Sequence, residues 1–478
     1  MSEKFYLTTT LPYVNSDPHI GFALELVQAD AVARYFKLSG REVFFSTGTD
    51  EHGQKIAEKA DEAGKSRQDY VDHYAAEFKK LIPTLGILSD IHFIRTTDEA
   101  HVRAAQELWG RCEKAGDIYK KKYKGLYCVG DEMFMKESEL IDGRCPNHPN
   151  LELQEIEEEN YFFRLSNYQK YLEGYLSREG VIVPEWRRLE ALKFLEQGLE
   201  DFSISREVSR MDWGIPVPGD AGHVMYVWFD ALTNYISTLG WPEDTDGNYK
   251  NFWENGFPVQ VAGKDQIRFQ SIMWQAMLKS AGLSETKKVV YHGFITSGGQ
   301  KMSKSLGNVI SPFELVERYG TEATRYLLLR HVHPFEDADI TFEKLTEWYN
   351  ANLANGLGNL AARIMKMAET HLQEPVDIKD DTDALAAYAN SFEKFNVGEA
   401  LDSIWQKIGS LDLFIQTEQP FKVIKTDREK GIKDITYLVS SLYDIAVSLK
   451  PFMPETSEKI LAAIKENKMP ESLFVRKE

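Results

Sequence analysis

The sequence predicts an α/β protein built on a parallel sheet and continued by an all-α region. Three observations predict it. The first fifty residues read strand, loop, helix, strand. Strand-to-helix switches return after residue 222, and from about residue 341 onward only helical periodicity is left.

The elements follow in order. "KFYLTTT" (4–10) predicts a strand, and "LPYVNSDP" (11–18) a loop in which Asp17 can cap a helix whose first position is Pro18. That helix runs from His19 to about Leu38 and is closed by Gly40. "EVFFSTGTD" (42–50) is a second strand. A strand–helix–strand run this short is a βαβ unit, so the two strands are parallel. Ligands of such sheets bind beyond the carboxyl ends of the strands, where the loop 11–18 and the turn 46–53 fall. Residues 54–117 predict helices. Around 118–185 the texture changes to short strands, turns and cysteines, which marks an insertion. Helical pattern returns at "EWRRLEALKFLEQGLE" (185–200). "HVMYVWFDALTNYISTLG" (223–240) and "FPVQVAGKD" (257–265) read as the second half of the interrupted sheet. Residues 289–320 predict strand, glycine-rich loop and helix, with Ser311 and Glu314 forming a capping box around Pro312.

Composition narrows the function. A chain of 478 residues exceeds one ordinary core and predicts two to four domains. With 43% hydrophobic and 12% aromatic residues it is globular. A net charge of −18 excludes a protein that coats nucleic acid indiscriminately, so any nucleic-acid partner must be met by local basic patches and shape. No apolar stretch approaches a membrane span, and no basic start followed by an apolar run marks a secretory signal. Three cysteines, an odd count, argue against a disulfide framework and for the reducing cytoplasm.

Two segments carry chemistry. His19 and Gly21 of "PHIG" stand at a helix N-terminus, whose outward N–H groups and dipole favour an anion. Alone, that histidine is as well read as a cap or a surface residue. Lys301 and Lys304 of "KMSKSLGN" lie on a glycine-flanked loop that can close over a triphosphate and stabilise a leaving pyrophosphate. Alone, the loop is a solvated basic segment. Together they resemble the signature of the class I aminoacyl-tRNA synthetases. "TTTLPYVNSDPHIG", "STGTDEHGQKI", "YVWFDALTNYI", "GKD" and "HGFITSGGQKMSKSLGN", in this order, resemble the methionyl-tRNA synthetases over nearly the whole chain.

The resemblance implies a Rossmann-like catalytic domain in two parts (1–117 and 223–288), split by a small connective insertion (118–222). A KMSKS region (289–340) and a helical-bundle anticodon domain (341–478) follow. It implies methionine activation by ATP to methionyl-adenylate and pyrophosphate, then transfer to the 3′ end of tRNA(Met). Magnesium enters with ATP. The implied methionine site is Leu11, Tyr13, Asp50, Trp228, Ala231, Tyr235, Phe269 and Gln270, with Asp50 receiving the ammonium and the aromatics the thioether. The implied ATP site is His19, Gly21, Gly263, Asp265, His292, Ile295, Lys301 and Lys304. Of these His19, Lys301 and Lys304 are the catalytic expectation, and Lys304 the first choice for transition-state charge.

The sequence departs from the family pattern in places. Phe22 stands where a second histidine is usual, and Gln270 where the family carries another histidine. In the insertion, Cys128, Asp131, Cys145 and His148 form a knuckle in which Asp131 replaces a thiolate; it either holds one zinc per chain or has lost its metal and survives on packing. Asn352, Asn355 and Asn359 share one helix face with Arg363. A row of such poor helix formers serves interhelical hydrogen bonding or the reading of unstacked bases. The resemblance makes Asn359 and Arg363 anticodon readers, with Phe421 stacking a base where the family has an indole. The basic runs "KKKYK" (120–124) and "WRRLEALK" (186–193) fit acceptor-stem contacts or solvated faces. A monomer is expected. Two rivals remain: a tRNA-binding paralogue with weakened catalysis, motivated by Phe22, Gln270 and Asp131, and a small-molecule nucleotidyltransferase, against which the long helical region argues.

Overall fold

The computed structural model describes residues 4–129, 133–135, 137, 140–146, 148–302, 308–378 and 384–478. They form two compact units. One comprises Met1–Pro18, Val43–Lys80 and Asp90–Tyr291; the other His19–Glu42, Leu81–Ser89 and His292–Glu478.

The first unit holds a six-stranded sheet in the order His92–Arg95, Val43–Thr49, Phe5–Thr8, Phe257–Gly263, Lys288–His292, Ile182–Val183. Phe5–Thr8 pairs in parallel with both Val43–Thr49 and Phe257–Gly263, as the βαβ reading requires. Phe5, Tyr6, Leu7 and Val259 are almost wholly buried, which is why these strands read as apolar runs rather than alternations. His92–Arg95 pairs in parallel with Val43–Thr49, inside a stretch expected to be helical. Four residues with Ile94 as the one fully inward side chain give no period to read.

A second correction concerns Asp220–Met225. This strand joins Pro216–Val217 and Ser205–Glu207 in a separate antiparallel sheet, not the main one. The helices that follow it, Val227–Leu232 and Asn234–Ser237, do form as expected. The insertion holds a four-stranded sheet in which Ile118–Cys128 pairs along its length with Gln154–Phe163, together with the helices Gln169–Leu176 and Glu185–Leu195; Ile182–Val183, within the same span, joins the main sheet. That register sets "KKKYK" opposite "EEENY" (157–161), and Lys124 and Lys120 pair with Glu155 and Asp220. The arginines of the other basic run pair within their own helix, Arg187 with Glu190 and Arg188 with Glu185.

In the second unit the first helix, Ile20–Leu38, is buried on nearly every face. Its cap differs from expectation. His19, not Asp17, is the N-cap, and its Nδ1 accepts the Gly21 N–H at 3.0 Å. Asp30 of this helix meets the fully buried Arg325 at 2.6 Å. Arg325 also donates to the carbonyls of Leu85, Pro451 and Phe452, tying Thr321–His331 to three other segments. Pro312–Tyr319 begins at Ser311 with Pro312 in its first turn, but the Ser311 side chain makes no capping bond. From Phe342 onward every described element is a helix, as the periodicity predicts, the longest being Val397–Glu418 and Arg428–Leu449.

Candidate active site

Parallel pairing puts the carboxyl ends of Phe5–Thr8, Val43–Thr49 and Phe257–Gly263 on one edge of the first unit's sheet. The loops that leave this edge are fixed to each other. Asp50 N donates to Pro12 O at 3.0 Å and Val14 N to Asp50 O at 3.2 Å, so Tyr13 and Asp50 pair as an isolated bridge. Leu11 lies two residues before Tyr13 on the same loop, half-buried, while the Asp50 side chain is buried.

The turn beyond Asp50 is held by a buried carboxylate. Glu51 accepts from Thr49 Oγ1 (2.6 Å), Thr97 Oγ1 (2.5 Å) and the two-pronged Arg95 guanidinium (2.7 and 2.9 Å). Its four oxygen contacts are charge-assisted or hydroxyl bonds, the strong kind in a dry site. Trp213 Nε1 caps the Glu51 carbonyl at 2.6 Å.

Trp228 and Phe269 stack, with ring centroids 3.8 Å apart and planes 15° from parallel. The Trp228 indole N–H is buried and has no hydrogen-bond partner among the described residues. Ala231 and Tyr235 are buried one and two turns further along. Gln270, 1% exposed, donates through Nε2 to the Tyr235 hydroxyl, while its Oε1 is a buried acceptor with no partner among the described residues. The structure thus joins Trp228 to Phe269, Tyr235 to Gln270, and Tyr13 to Asp50. Gly263 ends its strand, and Asp265, exposed, follows it.

One carboxylate connects these groups. Asp230, fully buried, lies 2.6 Å from His52 Nδ1 and 2.7 Å from His101 Nε2, and His101 Nδ1 lies 2.9 Å from Ser237 Oγ. Burial alone would raise the Asp230 carboxyl, but the two imidazoles outweigh it and hold the group below the usual carboxylate range. Sequence reasoning missed this cluster and the Glu51–Arg95 pair. His52, Glu51 and Asp230 sit inside quoted motifs, but His101 is one polar residue in a helix and carries no local signal.

The remaining ATP-site expectations fall in the second unit. The Nδ1 of His19 accepts the Gly21 N–H, so the ring proton of a neutral imidazole is on Nε2, where it can be donated to an anion. The residue is exposed at the surface, yet partial desolvation lowers its pKa, which keeps the ring neutral at pH 7. A Cβ on Gly21 would come within 2.9 Å of that ring, which explains the glycine. His292 Nε2 lies 2.8 Å from Glu25 Oε2 and its Nδ1 2.8 Å from the Gly293 carbonyl. Ile295 is buried in the next strand. A Cβ on Gly293 would lie 2.1 Å from the Glu336 carbonyl carbon, so only glycine passes there. Phe22 is buried and serves packing where a histidine was the family's choice. Lys301 pairs through its backbone with Thr296; Lys304 lies outside the described residues.

In the insertion, Cys128, Cys145 and His148 bring their ligand atoms within 4.8 Å of one another, with both cysteines buried and unoxidised. Asp131 lies outside the described residues. Cys112 is a buried thiol pushed up to about 12 by desolvation, as a core residue should be. In the helical region Arg363 reaches Asp412 at 2.5 Å, and Phe421 is 40% exposed at the start of Pro420–Thr426. Asn352 bonds Arg330 and Trp348, the interhelical reading of that asparagine.

The family model for class I tRNA synthetases (M) matches residues 5–155 and 150–365, and that for the anticodon binding domain of methionyl tRNA ligase matches 365–473. The chain belongs to the methionyl-tRNA synthetases. It is 41% identical to the methionine–tRNA ligase of Rhizobium meliloti, over 96% of this chain and 91% of that protein. It is 40% identical to that of Thermotoga maritima, over 96% of this chain and 75% of that one. A Mycobacterium tuberculosis methionyl-tRNA synthetase solved in complex with methionyl-adenylate superposes with a TM-score of 0.89 at 36% identity, covering 100% of this chain and 99% of that one. As a methionine–tRNA ligase, this synthetase activates methionine with ATP and transfers it to tRNA. The likeness supports the ligase and not the weakened paralogue or the small-molecule enzyme.

Proposed function

We propose that methionine is bound by Leu11, Tyr13, Asp50, Trp228, Ala231, Tyr235, Phe269 and Gln270. The stacked Trp228–Phe269 pair carries this reading. A soft thioether gains most from aromatic faces and edges, and the buried Asp50 carboxylate offers the opposite charge to an ammonium. Tyr235 and Gln270 close the wall with their hydrogen bond. Gly263, Asp265, His292 and Ile295 take the adenosine of ATP, and His19, Gly21, Lys301 and Lys304 its phosphates.

The methionine carboxylate attacks the α-phosphorus and pyrophosphate leaves. His19 donates its Nε2 proton toward a phosphate oxygen and the lysines spread the leaving charge. No covalent enzyme intermediate forms, so placement and preorganised charge supply the rate. The terminal tRNA hydroxyl then displaces AMP. Magnesium travels with the ATP as its counter-ion. Zinc fits the knuckle, since two buried thiols and an imidazole are a zinc donor set; Cys128, Cys145 and His148 would hold it with Asp131 as fourth ligand, and it would supply folding stability rather than chemistry.

Asn359, Arg363 and Phe421 read the anticodon of tRNA(Met). The protein acts as a monomer in the cytoplasm; among the described residues no helix is long and apolar enough to cross a membrane. The test is steady-state pyrophosphate exchange with Asp50→Asn. Methionine KM should rise about 10- to 100-fold, the worth of a hydrogen bond to a charged group, while ATP KM holds. An unchanged methionine KM refutes the pocket.

A further inference from the structure

Asp230 takes no part in the site proposed above, yet its carboxylate stands between the two halves of that site. On its own helix it is flanked by Trp228 two residues before and Ala231 one after, both assigned to the thioether. One of its oxygens accepts from His52, two residues beyond Asp50; the other accepts from His101, on the helix Glu99–Lys114. Each imidazole meets the carboxylate through one ring nitrogen, so both carboxylate oxygens are held. Ser237 seats the far nitrogen of His101. Everything in the cluster is within 6% of complete burial, so water cannot substitute for a lost partner.

We propose that Asp230, gripped by His52 and His101, is a positioning residue that sets the span between the ammonium-binding carboxylate of Asp50 and the thioether wall of Trp228, Ala231 and Phe269. This rests on the reading of those residues as the methionine pocket. The ligand is an amino acid whose ends are held by different chain segments, one on the loop after Val43–Thr49 and one on the helix Val227–Leu232. Among the described residues no backbone hydrogen bond joins the two segments, and the Asp230 carboxylate, bonded to His52, links them. A pocket that measures side-chain length needs that separation rigid, because a shift of about an ångström admits one more methylene.

The experiment is pyrophosphate exchange with methionine and with ethionine, whose side chain is one methylene longer. Asp230→Asn keeps the shape but offers an amide nitrogen to one of two ring N–H donors. Methionine KM should rise about tenfold and the methionine-to-ethionine ratio of kcat/KM should fall at least about fivefold, with ATP KM within twofold. A variant that merely folds less lowers kcat for both substrates and leaves both KM values and the ratio alone.

Should Asp230→Asn not fold, the loop residue His52 decides. His52→Asn places an amide N–H where Nδ1–H stood and should keep the methionine KM within about threefold, while His52→Ala should reproduce the Asp230 phenotype. If His52→Ala leaves both KM and ratio unchanged, the proposal is overturned. If Asp50→Asn also fails to move methionine KM, the pocket assignment itself falls; if Asp50→Asn moves it and His52→Ala does not, only the positioning role falls.

Discussion

Replacing Arg325 by methionine is the sharpest test of how the second unit is held together. The guanidinium is fully buried. It donates through Nε to Phe452 O at 2.7 Å, through Nη1 to Leu85 O at 3.1 Å and through Nη2 to Pro451 O at 3.2 Å. Its Nη2 also lies 2.6 Å from Asp30 Oδ2. Methionine fills a similar volume and returns some apolar contact, but it donates to none of these acceptors. Three buried carbonyls then lose a partner, at about 1 kcal/mol each. Asp30 is not wholly abandoned, because Arg34 Nε (2.7 Å) and Leu88 N (2.8 Å) still serve it. Its loss is therefore below the about 3–5 kcal/mol of a broken buried pair with no second partner. The expected net cost is about 4 kcal/mol. Because the chain has two units, a single unfolding curve is a poor readout. Native-state hydrogen exchange of amides in Ile20–Leu38 and Thr321–His331 reads the second unit itself, and those amides should exchange about a thousandfold faster. Asp30→Asn in the same chain should recover part of the loss by removing a buried charge that has lost one of its two guanidinium partners. A change under about 1 kcal/mol refutes the reasoning, for the guanidinium would then be replaceable by water or by relaxation.

Three further outcomes follow from the same geometry. Gly293→Ala forces a Cβ against the Glu336 backbone, so it should cost about 1–3 kcal/mol in thermal unfolding and raise ATP KM; wild-type values for both would mean that the strand yields freely. Metal analysis should find about one zinc per chain, with Cys145→Ser or a strong chelator reducing it to near none and lowering the unfolding temperature. Burial, and then the Arg330 guanidinium, lowers His331 to about 4. The unfolded chain takes a proton near pH 6.5 that the folded chain refuses, so stability is complete above about pH 6.5 and falls as the pH drops toward 4. The ring is partly exposed, which limits the loss to about 1–2 kcal/mol. His331→Gln should flatten the pH dependence of unfolding over that window, and an unchanged slope would show that His331 does not cause it.

The parts of the molecule legible in the sequence are those with a local signature. Phe5–Thr8, Ile20–Leu38 and Val43–Thr49 announce themselves by apolar runs and periodicity, and the helical second half by its spacing. His92–Arg95 was hidden because one inward residue has no period. Asp220–Met225 looked like a strand and is one, but which sheet it joins depends on partners far away in sequence. The site shows the same divide. Motifs point to Asp50, Trp228 and Phe269, whereas the bonds from Asp230 to His52 and His101 span 178 and 129 residues and leave no trace in either neighbourhood. The helix cap departs from propensity for a related reason: Asp17 and Pro18 are the better formers, but the chain places the His19 ring over the Gly21 N–H.

His19 therefore has two jobs in this account, capping a helix through Nδ1 and donating to phosphate through Nε2. One variant separates them. Asparagine at position 19 is an excellent cap and accepts the Gly21 N–H, but has no group at the Nε2 position. Pyrophosphate exchange by purified His19→Asn, alongside its unfolding temperature, is the most direct measurement: the fold should be as stable as the wild type while kcat falls about 10²-fold or more at an unchanged methionine KM. Exchange at the wild-type rate by a stably folded His19→Asn would show that the imidazole only caps, and the account of phosphate stabilisation would be wrong.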